Sequence, residues 1–147
     1  MAKIAGSEPK EERQMKAKFP GFKKCVAMMR ARDPATQEDG FHWPRPHAGE
    51  HVHELIGEFG QEKDHGLRCW LLELIGLAKS PAAFEFLAGQ LRSADERFRF
   101  WAISGLKNLD TKEARTLLWE ARSYTFGSPA ETETFRSELE AVLKQQS

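Results

Sequence analysis

The chain has 147 residues, 40% of them hydrophobic, and its 22 basic and 22 acidic residues cancel at neutral pH. A balanced charge provides no cationic field that would attract nucleic acid or an anionic membrane surface. No apolar run approaches the roughly 20 residues that span a bilayer. The sequence also lacks the glycine-rich phosphate-binding motifs and the nucleophile-elbow motif, so it predicts no cofactor and gives no support to nucleophilic catalysis.

The first eighteen residues are charged and weakly apolar, which predicts a flexible N-terminal lead-in over 1–18 and one domain over 19–147. This start contains no continuous apolar segment of the kind that forms a secretory signal. The two cysteines, Cys25 and Cys69, are far apart and lack metal-type spacing, so they are expected to be free thiols in a reducing compartment. Together these features predict a cytoplasmic protein.

From Phe19 onward, apolar residues recur at intervals of three and four, as in "LRCWLLELIGLA" and "FRFWAISGLKNL". No stretch shows the sustained alternation that is typical of strands, so the chain is predicted to be all-helical. A first helix is expected at about 19–32. The segment "PAETETFRSELEAVLKQQS" is expected to form a polar terminal helix.

Three aspartates, Asp33, Asp64 and Asp95, are spaced by 31 residues and divide the chain into three segments that align without gaps. Each segment is predicted to form two helices, the first beginning after the aspartate, because a carboxylate at the N-cap accepts backbone N–H groups. Ser80-Pro81 and Asp110-Thr111 are expected to open the second helices. Apolar positions match across all three segments: Val52, Ala83 and Ala114; Leu55, Phe86 and Leu117; Ile56, Leu87 and Leu118.

The segments "DHGLRCWLLELIG" and "DERFRFWAISGL" share an aspartate, an arginine four residues later and apolar residues towards the end. In this they resemble the short HEAT-like repeats that are also found in phycobilin lyases. The resemblance implies an all-α fold, a short right-handed α-solenoid of about three and a half helical hairpins with capping helices. It also implies a binding role, such as that of small bacterial adaptor or immunity proteins, which bind a toxin or an enzyme. The first segment departs from the pattern, since Gln37 replaces the arginine, Asp39 replaces the tryptophan and "WPRP" interrupts the first helix.

The matched polar and aromatic residues are predicted to form a structural ladder, in which arginines bond a carbonyl or aspartate of a neighbouring segment. Nucleic-acid binding is the third functional hypothesis, with the arginines on phosphates and the tryptophans stacked on bases. The ladder comprises Asp33, Asp64, Asp95, Arg68, Arg99, Trp70 and Trp101.

The stretch "HAGEH" has the H-x-x-E-H spelling of some zinc proteases. An alternative function is therefore a lyase-type or metal-dependent enzyme that uses His47, Glu50 and His51. If Pro46 ends the first helix, the two histidines lie in a loop and a helix start instead of on adjacent turns of one helix. We therefore expect no catalytic zinc, and His47, His51 and His53 are at most weak metal candidates.

Side chains on the second helices, opposite their core-facing stripe, mix aromatic, arginine and carboxylate groups, a composition that is typical of protein-binding surfaces. The sequence thus predicts a non-catalytic protein-binding module. The alternative is that Phe84 and Trp119 pack against a neighbouring helix. The predicted partner-binding residues are His53, Glu54, Phe84, Glu85, Arg92, Arg115, Trp119 and Glu120.

Overall fold

The computed structural model describes residues 21–146, and the predicted lead-in over 1–18 lies outside them. Every regular element of this part of the chain is helical, as the sequence predicted. Its contacts group into two compact units, with the boundary between Pro44 and Arg45. One domain over 19–147 remains a prediction. No helix within 21–146 is both long and apolar enough to cross a bilayer.

The first unit contains α1 (Phe22–Met29) and α2 (Pro34–His42), which pack against each other. Asp33 caps α2, because its carboxylate accepts the backbone N–H of Thr36 at 3.1 Å. The first helix is shorter than the predicted 19–32, since Met29 is its last residue. Its buried face consists of Phe22, Cys25, Val26 and Met29.

The second unit begins with a short 3₁₀ helix and contains six α-helices. The elements are the 3₁₀ helix Arg45–Glu50, α3 (Val52–Gln61), α4 (His65–Leu77), α5 (Phe84–Leu91), α6 (Glu96–Leu109), α7 (Lys112–Glu120) and α8 (Pro129–Gln146). Two further 3₁₀ turns, Pro81–Ala83 and Ala121–Ser123, lie beside α5 and α7. Helix α6 is central, because it packs against α4, α5, α7 and α8.

Helices α4 and α6 begin in the same way. The Asp64 carboxylate accepts the N–H of Leu67 at 2.9 Å, and the Asp95 carboxylate accepts that of Phe98 at 3.2 Å. The side chain of the residue two positions before each aspartate accepts the backbone N–H of that aspartate. Glu62 accepts the N–H of Asp64 at 2.9 Å, and the Ser93 hydroxyl accepts that of Asp95 at 3.0 Å. The two helix starts therefore use matched positions.

The turns after α4 and α6 are also alike. Lys79 and Asp110, which are 31 residues apart, have left-handed backbone conformations with φ of 52° and 53°. The next residues, Ser80 and Thr111, each accept a backbone N–H with the side-chain oxygen, at 3.3 and 3.1 Å. The predicted openings of the second helices are thus present, although Ser80 caps the 3₁₀ turn that leads into α5.

The apolar positions that match across the three segments lie in or beside the core. Val52, Ala83 and Ala114 are all buried. At the other two matched positions, Leu55, Leu87 and Leu118 are buried, whereas Ile56, Phe86 and Leu117 are half-buried.

Helices α4 and α6 approach each other most closely at two glycines. A Cβ added to Gly76 would lie 2.9 Å from the Cα of Gly105, so neither helix has room for a side chain there. A Cβ on Gly105 would also meet the Leu87 side chain at 3.0 Å. This contact lets the helix backbones pack directly against each other.

The stretch "WPRP" ends regular helix earlier than the sequence suggested. Helix α2 ends at His42, and Pro46 lies inside the 3₁₀ helix Arg45–Glu50 instead of terminating α2. The boundary between the two contact units therefore falls inside the first 31-residue segment. The predicted terminal helix is present as α8, where Phe135 and Leu139 are buried.

Candidate functional site

Seven of the eight predicted partner-binding residues are exposed, and Phe84 is half-buried. His53 and Glu54 lie on α3, Phe84 and Glu85 open α5, and the remaining α-helical members lie on α7. Arg92 follows the last residue of α5. The start of α5 is linked to α3, because the Pro81–Ala83 turn packs against that helix.

Trp119 is the most exposed large hydrophobic side chain among residues 21–146, at 56% of its full area. The guanidinium carbon of Arg122 lies 3.5 Å from the centre of the indole ring. Arg122 also donates from Nε to the Trp119 carbonyl oxygen at 3.1 Å. These two contacts hold an aromatic ring and a cation together at the surface.

Arg115 lies one turn before Trp119 on α7, so the two side chains point to the same side of the helix. Its Nε donates to Asp110 Oδ1 at 2.7 Å. This hydrogen bond lowers the pKa of the exposed Asp110 carboxyl group and raises that of Arg115. The ion pair holds the exposed Arg115 guanidinium against Asp110 without burying it.

Two other predicted members have local contacts. The Arg92 guanidinium lies over the Tyr124 ring, 4.0 Å from its centre, which fixes the arginine stem against the protein. The Glu54 carboxylate lies 3.6 Å from Nδ1 of His51, also on the surface. Within the predicted set, Arg115 and Trp119 share one face of α7 by their i, i+4 spacing.

Arg122 is not among the binding residues predicted from the sequence. It lies in the Ala121–Ser123 turn just after α7, outside the regular helical positions from which the surface was inferred. The i, i+3 spacing of Trp119 and Arg122 was the available signal. Phe100, which is 40% exposed on α6, was also missed.

The two ladder arginines, Arg68 and Arg99, both bond backbone carbonyl groups. Arg99 is 1% exposed and donates from Nη1 to the Ser93 carbonyl at 2.9 Å. Arg68 donates from Nε to the Phe59 carbonyl at 3.3 Å, and its guanidinium lies 4.1 Å from the centre of the same residue's ring. A buried guanidinium such as that of Arg99 presents no surface to a phosphate.

Gln37 occupies the arginine position of the first segment and makes a related bond. Its Nε2 donates to the carbonyl of Ala31, six residues earlier, just as Arg99 bonds the carbonyl six residues before it. The departure from arginine therefore changes the donor but keeps the bond.

The ladder tryptophans, Trp70 and Trp101, are half-buried. Trp101 packs edge-to-face with Phe100, with ring centres 5.1 Å apart. It also lines a cavity of about 140 Å³ between α4 and α6, together with Glu73 and Ser104.

The "HAGEH" histidines lie in different local structures. His47 is in the 3₁₀ helix Arg45–Glu50, whereas His51 is the N-cap of α3. The exposed Glu50 lies at the end of that 3₁₀ helix, and the exposed His53 lies in the first turn of α3. Within residues 21–146, no three histidine, cysteine or acidic side chains converge in a way that could hold a metal ion.

Protein-family models, curated proteins and solved structures were compared with this chain, and none of them matches it.

Proposed function

We propose that the chain is a short HEAT-like α-solenoid that binds another protein through the surface of its second helices, in the manner of an adaptor or immunity protein. The binding surface is centred on Trp119, Arg115 and Arg122. The exposure of Trp119 is the observation that carries the proposal. Tryptophan and arginine are the residues that most often dominate protein–protein binding energy.

The solenoid part of this proposal is supported by the matched details of α4 and α6. Both helices begin at an aspartate N-cap, and the turn after each contains a left-handed residue, Lys79 or Asp110, that is followed by a hydroxyl cap. The two helices also pack directly against each other. Such recurrence is expected when consecutive hairpins stack and share a core.

The binding part is supported by the preorganisation of the surface residues. Arg122 is held on the Trp119 ring by its bond to the carbonyl of the same residue, and Arg115 is held by Asp110. Side chains that are already ordered lose less conformational entropy when a partner binds. The neighbouring acidic residue Glu120 gives the rim both signs of charge, which favours specificity over general adhesion.

The test is Trp119→Ala in an affinity-capture experiment with the tagged protein in source-cell extract. A tryptophan that dominates binding contributes about 2 kcal/mol or more, which corresponds to roughly a 30-fold loss of affinity. We therefore expect the specific bound protein to be lost. Because Trp119 is exposed, the helical circular dichroism and melting temperature should change little.

Phe100→Ala is the matched control, since it removes another exposed aromatic ring, on α6 instead of α7. We expect this variant to capture the partner as the wild type does. Equal capture by the Trp119→Ala and wild-type proteins would contradict the proposal. Unfolding of Trp119→Ala would show that the ring is structural and would contradict it as well.

A further inference from the structure

Three side chains that the protein-binding proposal does not use form a continuous chain at the beginning of α4 and α6. His65 and Cys69 lie one turn apart on α4, and Asp95 is the N-cap of α6. His65 Nε2 lies 2.8 Å from Asp95 Oδ2, and His65 Nδ1 lies 4.0 Å from Cys69 Sγ. A carboxylate only accepts hydrogen bonds, so in the neutral imidazole this contact places the ring proton on Nε2, and the Nδ1 lone pair then faces the thiol.

Neighbouring groups fix this geometry. The His65 ring stacks on Phe98, with centres 5.2 Å apart and planes 17° from parallel. The second carboxylate oxygen of Asp95 accepts the backbone N–H groups of Arg97 and Phe98, at 2.9 and 3.2 Å. The acceptor for Nε2 is therefore held in place by the helix start, and the ring is held by packing.

The thiol itself is not activated by its surroundings. Burial, followed by the negative charge of Asp95, raises the pKa of Cys69, and nearby Arg97 and Arg68 oppose this only in part. Cys69 is nevertheless only half-buried, so solvent reaches this residue. Cys25, by contrast, is 1% exposed, and burial raises the pKa of its thiol to about 11. Because a protonated thiol is a poor nucleophile, reaction at Cys69 requires a base at hand.

We infer that Cys69 is a covalent modification site for α,β-unsaturated carbonyl compounds, with His65 as the base and Asp95 as the residue that positions it. His65 Nδ1 takes the thiol proton while sulfur forms a bond to the β-carbon of the electrophile. The electrons of the carbon–carbon double bond move to the enolate, which then receives a proton from the imidazolium. The product is a thioether, all atoms are retained, and no oxidant or reductant is required.

Asp95 has two roles in this step. Its carboxylate keeps the ring proton on Nε2 and stabilises the imidazolium that forms when Nδ1 takes the thiol proton. This site lies on α4 and α6, apart from the Trp119 surface on α7, so it does not depend on the protein-binding proposal.

The experiment measures the alkylation of each cysteine by acrylamide at neutral pH, by peptide mass spectrometry over time. We expect Cys69 to react about tenfold faster in the wild type than in His65→Ala, a modest share of the usual gain from a positioned base. The buried Cys25 monitors the folding of the first unit, and helical circular dichroism of the variant monitors the second unit, in which Cys69 lies. An unchanged Cys69 rate in a variant that keeps Cys25 protected and retains its helical circular dichroism would overturn the inference.

The Asp95→Asn substitution distinguishes base-assisted alkylation of Cys69 from the reaction of an unassisted thiol, because the two predict opposite changes in the alkylation rate. Asparagine caps helices as well as aspartate does, but its amide would donate to Nε2 and place the ring proton on Nδ1, the wrong tautomer. We therefore expect slower alkylation of Cys69. An ordinary thiol would instead react faster, because removing the carboxylate charge lowers the thiol pKa, and that result would overturn the inference.

Discussion

Replacing Gly40 with alanine is expected to destabilise the packing of α1 on α2 by about 2 kcal/mol, after the gain in helix propensity is subtracted. The added Cβ would lie 2.7 Å from the Cys25 carbonyl oxygen and 2.8 Å from the Met29 nitrogen. Both are backbone atoms, so no side-chain rotation relieves the overlap, and the helices must separate. The measurement is the reactivity of the buried Cys25 thiol with a thiol reagent, which should rise.

Gly57→Ala is the control for this substitution. Gly57 also lies inside a helix, but a Cβ there meets nothing within 4 Å. Alanine at this position should raise the free energy of unfolding by about 0.5–1 kcal/mol. If Gly40→Ala protected Cys25 as well as Gly57→Ala did, the close approach of α1 and α2 would be wrong.

Replacing Arg99 with alanine is expected to lower the free energy of unfolding by about 2–4 kcal/mol. The substitution removes a 1% exposed side chain, its hydrogen bond to the Ser93 carbonyl and its contact with the Phe126 ring, 4.1 Å away. It also removes a nearby positive charge from Glu138, whose pKa is raised by burial and by Glu96 and lowered by Arg99. Urea denaturation followed by circular dichroism measures the loss.

The matched control is Arg97→Ala, which removes an exposed arginine from the same helix. We expect that change to alter stability by no more than about 0.5 kcal/mol. Similar denaturation midpoints for the two variants would show that Arg99 does not connect α6 to the loop before it.

The helix starts could be predicted from the sequence because capping is local. An N-cap aspartate accepts the backbone N–H of the residue three positions later, whatever the rest of the fold does. Asp64 and Asp95 both make this bond. The glycine contacts could not be predicted in the same way. Gly40 and Gly57 both lie within helices, and only the position of the neighbouring helix makes one of them indispensable.

The candidate site was partly visible in the sequence. Trp119 and Arg115 followed from the helical period, which placed them opposite the core. Arg122 did not, because it lies in a 3₁₀ turn beyond the end of α7. The pairing of His65 with Cys69 was not predicted from their i, i+4 spacing, and the fold was needed to bring Asp95, on another helix, within 2.8 Å of the imidazole.

The first 31-residue segment departs from the other two at matched positions. Glutamine replaces arginine at position 37, and its side chain bonds the carbonyl six residues earlier, as Arg99 does. The histidines of "HAGEH" were expected off any single regular helix, and they are divided between a 3₁₀ helix and the start of α3. A short motif does not by itself determine the backbone conformation that it adopts.

The central claim is that the protein binds its partner with the Trp119 surface, and site-specific photo-crosslinking tests it most directly. Benzoylphenylalanine replaces the exposed Thr116, one turn before Trp119 on α7, in one variant, so that Trp119 itself stays in place, and it replaces the exposed Phe100 in another. After irradiation in source cells, we expect one covalent adduct with a distinct protein at position 116 and none at position 100. An adduct at position 100 alone, or at neither position, would contradict the claim.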